Sequence, residues 1–333
     1  MRYLPILAAL SICAAAFSDV GRAADGPPDA AWFSRLRQAD GRLAAIAHRL
    51  VTRNVSLCAE RQPATGLVLH ALDQYAPADR TAARTAFGFE RPVAVELVVP
   101  GSAADVAGVR ADDAVAAVGN HATPLQVAGG AQTSATRDAA VAVLAARPAD
   151  QPLRLGLIRN GVARTVTVPA SPGCRAAFEL LLGPKMTARA DGRIVQIGVR
   201  FLERYGDEEV AVIVAHELAH LVLLHRSRLE AAGARWGMLA ELGRNGRLFR
   251  RTEEEADLLS VHLLRNGGYD PAAAPRFWRE HGGDIDHGIF RSRTHPASSA
   301  RAQALELEIA RIPRDGGTPY TPPVLAQRDQ PLR

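Results

Sequence analysis

The feature of this 333-residue chain that most limits its fold is an apolar run over residues 210–224, interrupted only by His216, Glu217 and His220. So apolar a run predicts a helix that is buried on most of its surface, within a longer helical stretch over residues 207–226. A helix places residues four apart on one face, so both imidazoles can point at one ion. The pattern therefore predicts a pair of zinc ligands inside a protein core.

A third ligand is expected, because catalytic zinc sites use three protein ligands and keep a fourth position open for water. Residues 253–265 are predicted to form a buried helix with acidic residues at its start. At about 100° per residue, Glu253 and Asp257 lie about 40° apart on that helix, whereas Glu255 points to the far side. We assign Glu253 as the third ligand and Asp257 as the acceptor of the outer N–H of a ligating imidazole. The alternative is an acidic first turn that only complements the helix dipole.

Two further histidines are left out of this site. His225 lies about 180° from His216 on an ideal helix, and His262 is out of phase with Glu253. Both are interpreted as surface residues or as packing behind the site.

The N-terminus has the pattern of a secretory signal peptide over residues 1–23, in which Arg2 precedes an apolar stretch and then small residues. Cleavage is expected, with a periplasmic or secreted product. A membrane anchor is the alternative, but the apolar stretch is shorter than the roughly 20 residues that span a bilayer. Lipidation at Cys13 is disfavoured, because Ile12 is bulky where such sites need a small residue. No later run predicts a membrane span in the mature chain.

Composition argues against nucleic acid as a partner. The chain has 40 basic and 35 acidic residues without a basic cluster, and only 5% of its residues are aromatic. Neither a phosphate-binding stripe nor a stacking platform is indicated.

Removal of the signal leaves two cysteines, Cys58 and Cys174, in an oxidising compartment. Thiols in such compartments tend to pair, so a disulfide between them is predicted. The alternative is a pair of buried free thiols.

The middle of the chain differs from its two ends in the pattern of its apolar residues. An N-terminal helix is predicted over residues 31–51, followed over residues 85–169 by short β-branched runs with one helix over residues 134–146. Asn160-Gly161 lies between two alternating runs and is a strong hairpin signal, because both turn positions tolerate positive φ. A small β-rich unit is therefore expected.

This unit resembles a PDZ domain. Pro100-Gly101-Ser102-Ala103-Ala104 and the stretch over residues 107–113 match the segment that such domains place between two strands and a short helix, and Phe87-Gly88-Phe89 resembles their carboxylate-binding loop. The resemblance implies a peptide ligand that adds a strand to an exposed edge. The alternative is a rigid spacer with a blocked groove.

The chain after Cys174 resembles the HtpX-like zinc metallopeptidases, relatives of the CAAX prenyl proteases, and in particular exported members with a PDZ domain. Its matching segments are Ala190-Asp191-Gly192-Arg193-Ile194, His216-Glu217-Leu218-Ala219-His220, Glu253 with Ala256-Asp257, Gly268-Tyr269-Asp270-Pro271, and Thr294-His295-Pro296 with Arg301. The resemblance implies an α+β fold, a zincin-like metallopeptidase domain with an inserted β-rich PDZ-like domain. It also implies an edge strand near residues 193–199 that aligns substrate.

The resulting division is a signal peptide (1–23), an N-terminal helical part of the peptidase domain (24–84), the PDZ-like domain (85–170), the metallopeptidase core (171–313) and a disordered tail (314–333). One Zn²⁺ per chain is expected, held by His216, His220 and Glu253.

The resemblance implies an exported endopeptidase that hydrolyses unfolded or damaged envelope proteins. In that mechanism Glu217 is the general base and His295 donates to the developing oxyanion. Alternatively, His295 belongs to a loop that leads into a helix, or occupies the open zinc position and keeps the enzyme latent. Arg301 could support either arrangement. The alternative function is a periplasmic chaperone or assembly adaptor with a latent or vestigial zinc site.

Overall fold

The computed structural model describes residues 28–126, 130–236, 243–285, 297–313 and 321–332. These residues form a mixture of helices and strands, compatible with the predicted α+β class. The predicted signal peptide and His295 lie outside the described residues.

The elements follow one another in a mixed order along the chain. The helices are α1 (Ala30–Arg53), α2 (Arg80–Phe87), α3 (Ala103–Val106), α4 (Ala135–Ala145), α5 (Val199–Arg204), α6 (Asp207–Val222), α7 (His225–Ala231), α8 (Gly243–Asn266), α9 (Ala273–Ile285) and α10 (Ser298–Arg311). The strands are β1 (Arg61–Pro63), β2 (Leu67–Ala71), β3 (Val93–Val98), β4 (Ala114–Val118), β5 (His121–Ala122), β6 (Leu153–Arg159), β7 (Val162–Val168), β8 (Pro172–Cys174), β9 (Ala177–Leu181), β10 (Ala188–Ala190) and β11 (Ile194–Gly198).

The largest hydrophobic core joins the N-terminal helix to the chain that follows Cys174. Leu43 and Leu50 of α1 share this core with α6, whose residues from Val210 to Val222 are almost all buried. Helix α6 is therefore a central helix, as its apolar run predicts.

The second core belongs to the β-rich unit. Its sheet has the order β2-β3-β4-β6-β7, with β5 paired to β4, and every pairing is antiparallel. Asn160 and Gly161 both have positive φ in the β6–β7 hairpin, as their sequence predicts. The sheet begins at Leu67, earlier than the predicted start at residue 85. The reason is that Leu69 and Ala71 of β2 are buried in the same core as β3.

Chain connections into and out of the β-rich unit run side by side. Strand β1 pairs with β8, with Arg61 opposite Cys174. Cys58 and Cys174 lie with their Cα atoms 5.4 Å apart, inside the range that a disulfide spans. The structure therefore brings the predicted cysteine pair together at the base of the β-rich unit.

The Phe87-Gly88-Phe89 segment does not have the position of a carboxylate-binding loop. Both phenyl rings are buried in an aromatic cluster with Phe33 and Tyr75 at the end of α2. The next strand, β3, is paired on both sides, so it offers no open edge to a peptide. The sequence interpretation of this segment is wrong for that reason.

The predicted helix over residues 207–226 is broken. Helix α6 ends at Val222, Leu224 has left-handed backbone angles (φ 55°, ψ 34°), and α7 begins at His225. The two helix axes are bent by 45° at this break. Every later side chain therefore points in a direction that a continuous helix would not give it.

The C-terminal segment is not a disordered tail where the structure describes it. Residues 321–332 contain a 3₁₀ helix, Pro323–Asp329, whose Val324 and Leu325 are buried in the main core. Arg228 Nε donates to the backbone oxygen of Gln330 at 3.1 Å. The prolines and polar residues of this segment suggested a disordered tail. Its buried apolar side chains instead hold the described part in place. Residues 314–320 lie outside the described residues.

Within the described ranges, no single helix has the length and apolar composition needed to cross a bilayer. The bent pair α6–α7 meets those criteria only when its two helices are counted together.

Candidate metal centre

Two helices bring three predicted ligands together. Helix α6 carries His216 and His220, and α8, which packs along α6, carries Glu253. Ligand atoms from these three residues all lie within 4.8 Å of one another. His216 Nε2 is 3.2 Å from His220 Nε2 and 3.2 Å from Glu253 Oε2, and His220 Nε2 is 3.6 Å from Glu253 Oε1.

These distances suit zinc. A tetrahedral zinc site with bonds of about 2.0–2.2 Å to nitrogen and oxygen separates its ligand atoms by about 3.3–3.5 Å. The three observed separations lie close to that range, with the two to Glu253 measured to different oxygens of its carboxylate. Two imidazoles and one carboxylate also leave a fourth position for water, which is the donor set of a catalytic site.

Behind His216 lies a buried carboxylate that is itself paired. His216 Nδ1 is 2.9 Å from Asp257 Oδ1. Arg301 donates to both oxygens of Asp257, from Nε at 2.7 Å and from Nη2 at 2.6 Å, and its guanidinium carbon lies 3.3 Å from the centroid of the Trp278 ring. Asp257 therefore orients the ring so that Nε2 faces the ligand cluster, as the helix phase predicts.

Electrostatics of this group favour a cation. Burial raises the pKa of Asp257, but Arg301 and His216 outweigh burial and bring that pKa down to about 2. Burial lowers the pKa of His216, yet hydrogen bonds to Asp257 and Glu253 outweigh it and raise the pKa to about 10. Without a metal, a proton on His216 is thus stabilised by two carboxylates. A divalent cation held by His216, His220 and Glu253 would take the place of the proton on Nε2, while Nδ1–H stays with Asp257.

Behind His220 lies a second imidazole that the helix phase left out. His225 is only 2% exposed, and its Nδ1 is 2.9 Å from Nδ1 of His220. Glu255, expected to point away from the site, lies 3.3 Å from the other nitrogen of His225. The bend at Leu224 accounts for the position of His225, and no glycine or proline in the sequence marks that bend.

Glu217 follows His216 on α6 and is buried, with 8% of its surface exposed. A buried carboxylate costs folding free energy unless it is paired, so such a residue is retained where its charge is used. Its position next to His216 is suited to proton transfer at the same centre.

The strand that the sequence assigns to substrate alignment is not an edge strand. In the three-stranded sheet the order is β10-β11-β9, so β11, which contains most of residues 193–199, is paired on both sides. Among the described residues, β10 has an unpaired outer edge and packs against α6. The edge strand that packs against the helix carrying both histidines is therefore Ala188–Ala190.

Residues 237–309 match peptidase family M48. The matched segment contains Glu253, Asp257 and Arg301, and it begins after the two histidines of α6.

A curated protein shows a second similarity. Over 138 residues the chain is 25% identical to the mitochondrial metalloendopeptidase OMA1 of Schizosaccharomyces pombe. The aligned part covers 34% of this chain and 41% of that protein, so the chain spans less than half of the relative's length. Together with the His-His-Glu cluster, the two similarities suggest metallopeptidase activity.

Proposed function

We propose that the protein is an exported zinc-dependent endopeptidase that hydrolyses unfolded or damaged proteins of the cell envelope. The observation that carries this proposal is the cluster of His216, His220 and Glu253, whose ligand atoms lie within 4.8 Å of one another, together with a buried Glu217 that follows His216 on the same helix. A purely structural zinc site would be expected to use a fourth protein ligand, usually Cys or His. The M48 and OMA1 similarities favour peptide-bond hydrolysis over other metal-assisted reactions.

The chain's own residues divide the chemistry between them. A bound zinc ion lowers the pKa of a water molecule to about 7 and polarises a carbonyl group. Glu217 accepts a proton from the attacking water on its carboxylate and passes it to the nitrogen of the leaving amine. Asp257, held by Arg301, keeps the His216 ring in one orientation throughout. His295, outside the described residues, is the candidate donor to the carbonyl oxygen.

Substrate alignment is assigned to strand β10. An extended peptide can hydrogen-bond to the free edge of a sheet through its backbone, so recognition needs few specific side chains. Strand β10 packs against the helix that carries both histidines. Backbone recognition of this kind suits unfolded chains, which expose extended segments.

The β-rich unit is proposed to bind chain ends as a PDZ-like domain, at β2 instead of at the Phe87 segment. Strand β2 is an edge strand, and helix α4 lies against it. Gly66, which precedes β2, has φ 81°, and a Cβ there would come within 2.3 Å of Ser102. The turn before the open edge therefore requires glycine, as does a loop that presents backbone N–H groups to a carboxylate.

A chain of polar contacts runs from α4, beside the open edge of β2, to β10, the strand proposed to align substrate. Arg137 of α4 forms an ion pair with Glu179 of β9. Glu179 accepts from Gln196 of β11 at 2.7 Å, and Gln196 accepts from Arg189 of β10 at 2.6 Å. A peptide bound beside α4 would thus lie on a unit whose side chains contact the three-stranded sheet β10-β11-β9. These contacts support a role of the β-rich unit in positioning substrate.

Cleavage of unfolded casein by the purified protein tests the proposal. Glu217→Gln should keep stoichiometric zinc and lose about 10²–10⁴-fold in cleavage rate, the usual contribution of a general acid–base. Glu208→Gln makes the same charge change at an exposed position of the same helix and should cleave like the wild type.

Equal rates for Glu217→Gln and the wild type would contradict the assignment of the base. Stoichiometric zinc without any cleavage by the wild type would favour the chaperone or adaptor function. Export is tested separately, by fractionating cells and determining the N-terminal residue, which should follow a cut close to residue 23.

A further inference from the structure

His220 is supported by an imidazole where His216 is supported by a carboxylate. His225 Nδ1 lies 2.9 Å from His220 Nδ1, and His225 Nε2 lies 3.3 Å from Glu255 Oε2. His225 and Glu255 are 2% and 6% exposed, so water does not compete for these contacts. Arg228 Nη1 donates to Glu255 Oε2 at 2.6 Å, and Arg251 Nε donates to Glu255 Oε1 at 2.9 Å.

This contact exists only because the helix is broken. On a continuous helix, His225 would lie about 140° around the axis from His220, so the two rings would face different directions. The break at Leu224 turns His225 back toward His220. A left-handed backbone is unfavourable at a residue other than glycine, because the Cβ atom crowds the backbone. Strain of this kind is retained where the geometry that it produces is used.

The tautomers follow from the ligand geometry. Nε2 of His220 faces His216 and Glu253, so Nδ1 carries the proton of the neutral ring. That N–H points at Nδ1 of His225, which must therefore accept, and the proton of His225 then lies on Nε2, facing Glu255. Two guanidinium groups fix the Glu255 carboxylate as the final acceptor.

We propose that His225, held by Glu255, is a positioning residue of the metal centre, which accepts the Nδ1–H of His220 and fixes that ligand's tautomer and ring orientation. This inference rests on the proposed zinc site. The two ligating imidazoles are then oriented by different devices, a carboxylate for His216 and a histidine–glutamate relay for His220.

Zinc affinity of the purified protein, measured by competition with a chromophoric chelator, tests the relay independently of catalysis. His225→Phe keeps a ring of similar size and leaves Glu255 with both arginine partners, but removes the acceptor for His220. Loss of such an outer partner typically weakens metal affinity by about 10–100-fold, so the zinc Kd should rise by that factor.

His262 provides a matched control. It is also 2% exposed and also pairs with a buried glutamate, Glu308, at 2.9 Å. It lies on α8 nine residues beyond Glu253, or about 13 Å along the helix. His262→Phe should therefore lower thermal stability without changing the zinc Kd.

Two further variants keep the test decisive if His225→Phe fails to fold. His225→Gln can still accept a hydrogen bond through its amide oxygen and should bind zinc nearly as tightly as the wild type. Glu255→Gln should weaken zinc binding in the same direction as His225→Phe, by a smaller factor. Thermal unfolding of the metal-free form establishes that each variant is folded before titration.

The outcomes separate this inference from the function on which it rests. If His225→Phe and His262→Phe have the same zinc Kd, whether unchanged or equally raised, His225 serves packing alone and the relay is refuted. If the wild type binds no zinc, the proposed metal site itself fails. If the wild type binds zinc and cleaves casein while only His225→Phe and Glu255→Gln bind zinc weakly, the relay is supported.

Discussion

Replacing Arg301 with methionine should be one of the most destabilising single changes in the protein. Its guanidinium is 5% exposed, donates to both oxygens of Asp257 and lies over the Trp278 ring. Methionine has a similar length and keeps the apolar stem. The change therefore removes the charge and the donors while leaving a small cavity at most.

The expected loss of unfolding free energy follows from the charge that Arg301→Met leaves on Asp257. Asp257 would keep its contact with His216 but lose the two strong donors that hold its negative charge in the core. Breaking a buried ion pair by removing one partner costs about 3–5 kcal/mol in the free energy of unfolding. Removing the charge of Asp257 at the same time, in Arg301→Met with Asp257→Asn, should recover part of that loss.

An ion pair between α9 and α10 provides the control. Arg279 and Glu306 form a salt bridge with side chains 50% and 45% exposed. Arg279→Met makes the same chemical change in a solvated pair, where about 0–1 kcal/mol is expected.

Urea denaturation of the metal-free proteins at pH 7, followed by circular dichroism, compares the variants. The reasoning would be refuted by Arg301→Met losing no more stability than Arg279→Met. It would also be refuted by a double variant as unstable as Arg301→Met alone, because the cost would then not come from an uncompensated charge.

Three further predictions concern the rest of the molecule. Burial raises the pKa of Asp40 to about 7 and also raises that of Glu96 beside it, so this pair binds more protons in the native state than in the unfolded state between about pH 4 and 7. The contribution of the pair to the free energy of unfolding should therefore fall as pH rises through that range, and Asp40→Asn should gain stability relative to the wild type when denaturation is measured at pH 8 instead of pH 5. Reduction of the Cys58–Cys174 pair should shift the intact mass by two hydrogens and cost about 2–5 kcal/mol, whereas an unchanged mass would exclude the bond. Deleting residues 321–333 should lower the unfolding free energy by about 3–6 kcal/mol, since Val324 and Leu325 are both buried and each such side chain contributes about 1.5–3 kcal/mol. An unchanged melting temperature would contradict the packing described above.

Much of the candidate site could be predicted from the sequence, because the positions of these side chains follow from periodicity within single helices. Helical periodicity alone places His216 and His220 on one face, and it brings Glu253 and Asp257 to neighbouring positions on a second helix. The structure puts all four side chains together. Hairpin chemistry at Asn160-Gly161 is local in the same way, since two residues that tolerate positive φ specify the turn.

Other parts could not be predicted, because they depend on partners that are distant in sequence. Whether a strand lies at an edge is decided by its neighbours, so the sequence assigns substrate alignment to β11 when β10 holds the edge. In the same way, β2 joins the β-rich sheet through β3, more than twenty residues later, and the C-terminal segment is ordered by a core built from the rest of the chain.

The amino-acid sequence by itself predicted the helix that carries the histidine pair and the three candidate ligands, because these follow from spacing along each of two helices. Only the tertiary structure decided what stands behind each ligand. A strained residue at Leu224, which no local rule anticipates, turns His225 toward His220 and brings Glu255 into contact with it. Packing of the surrounding core is what holds a backbone conformation that Leu224 would not adopt in isolation.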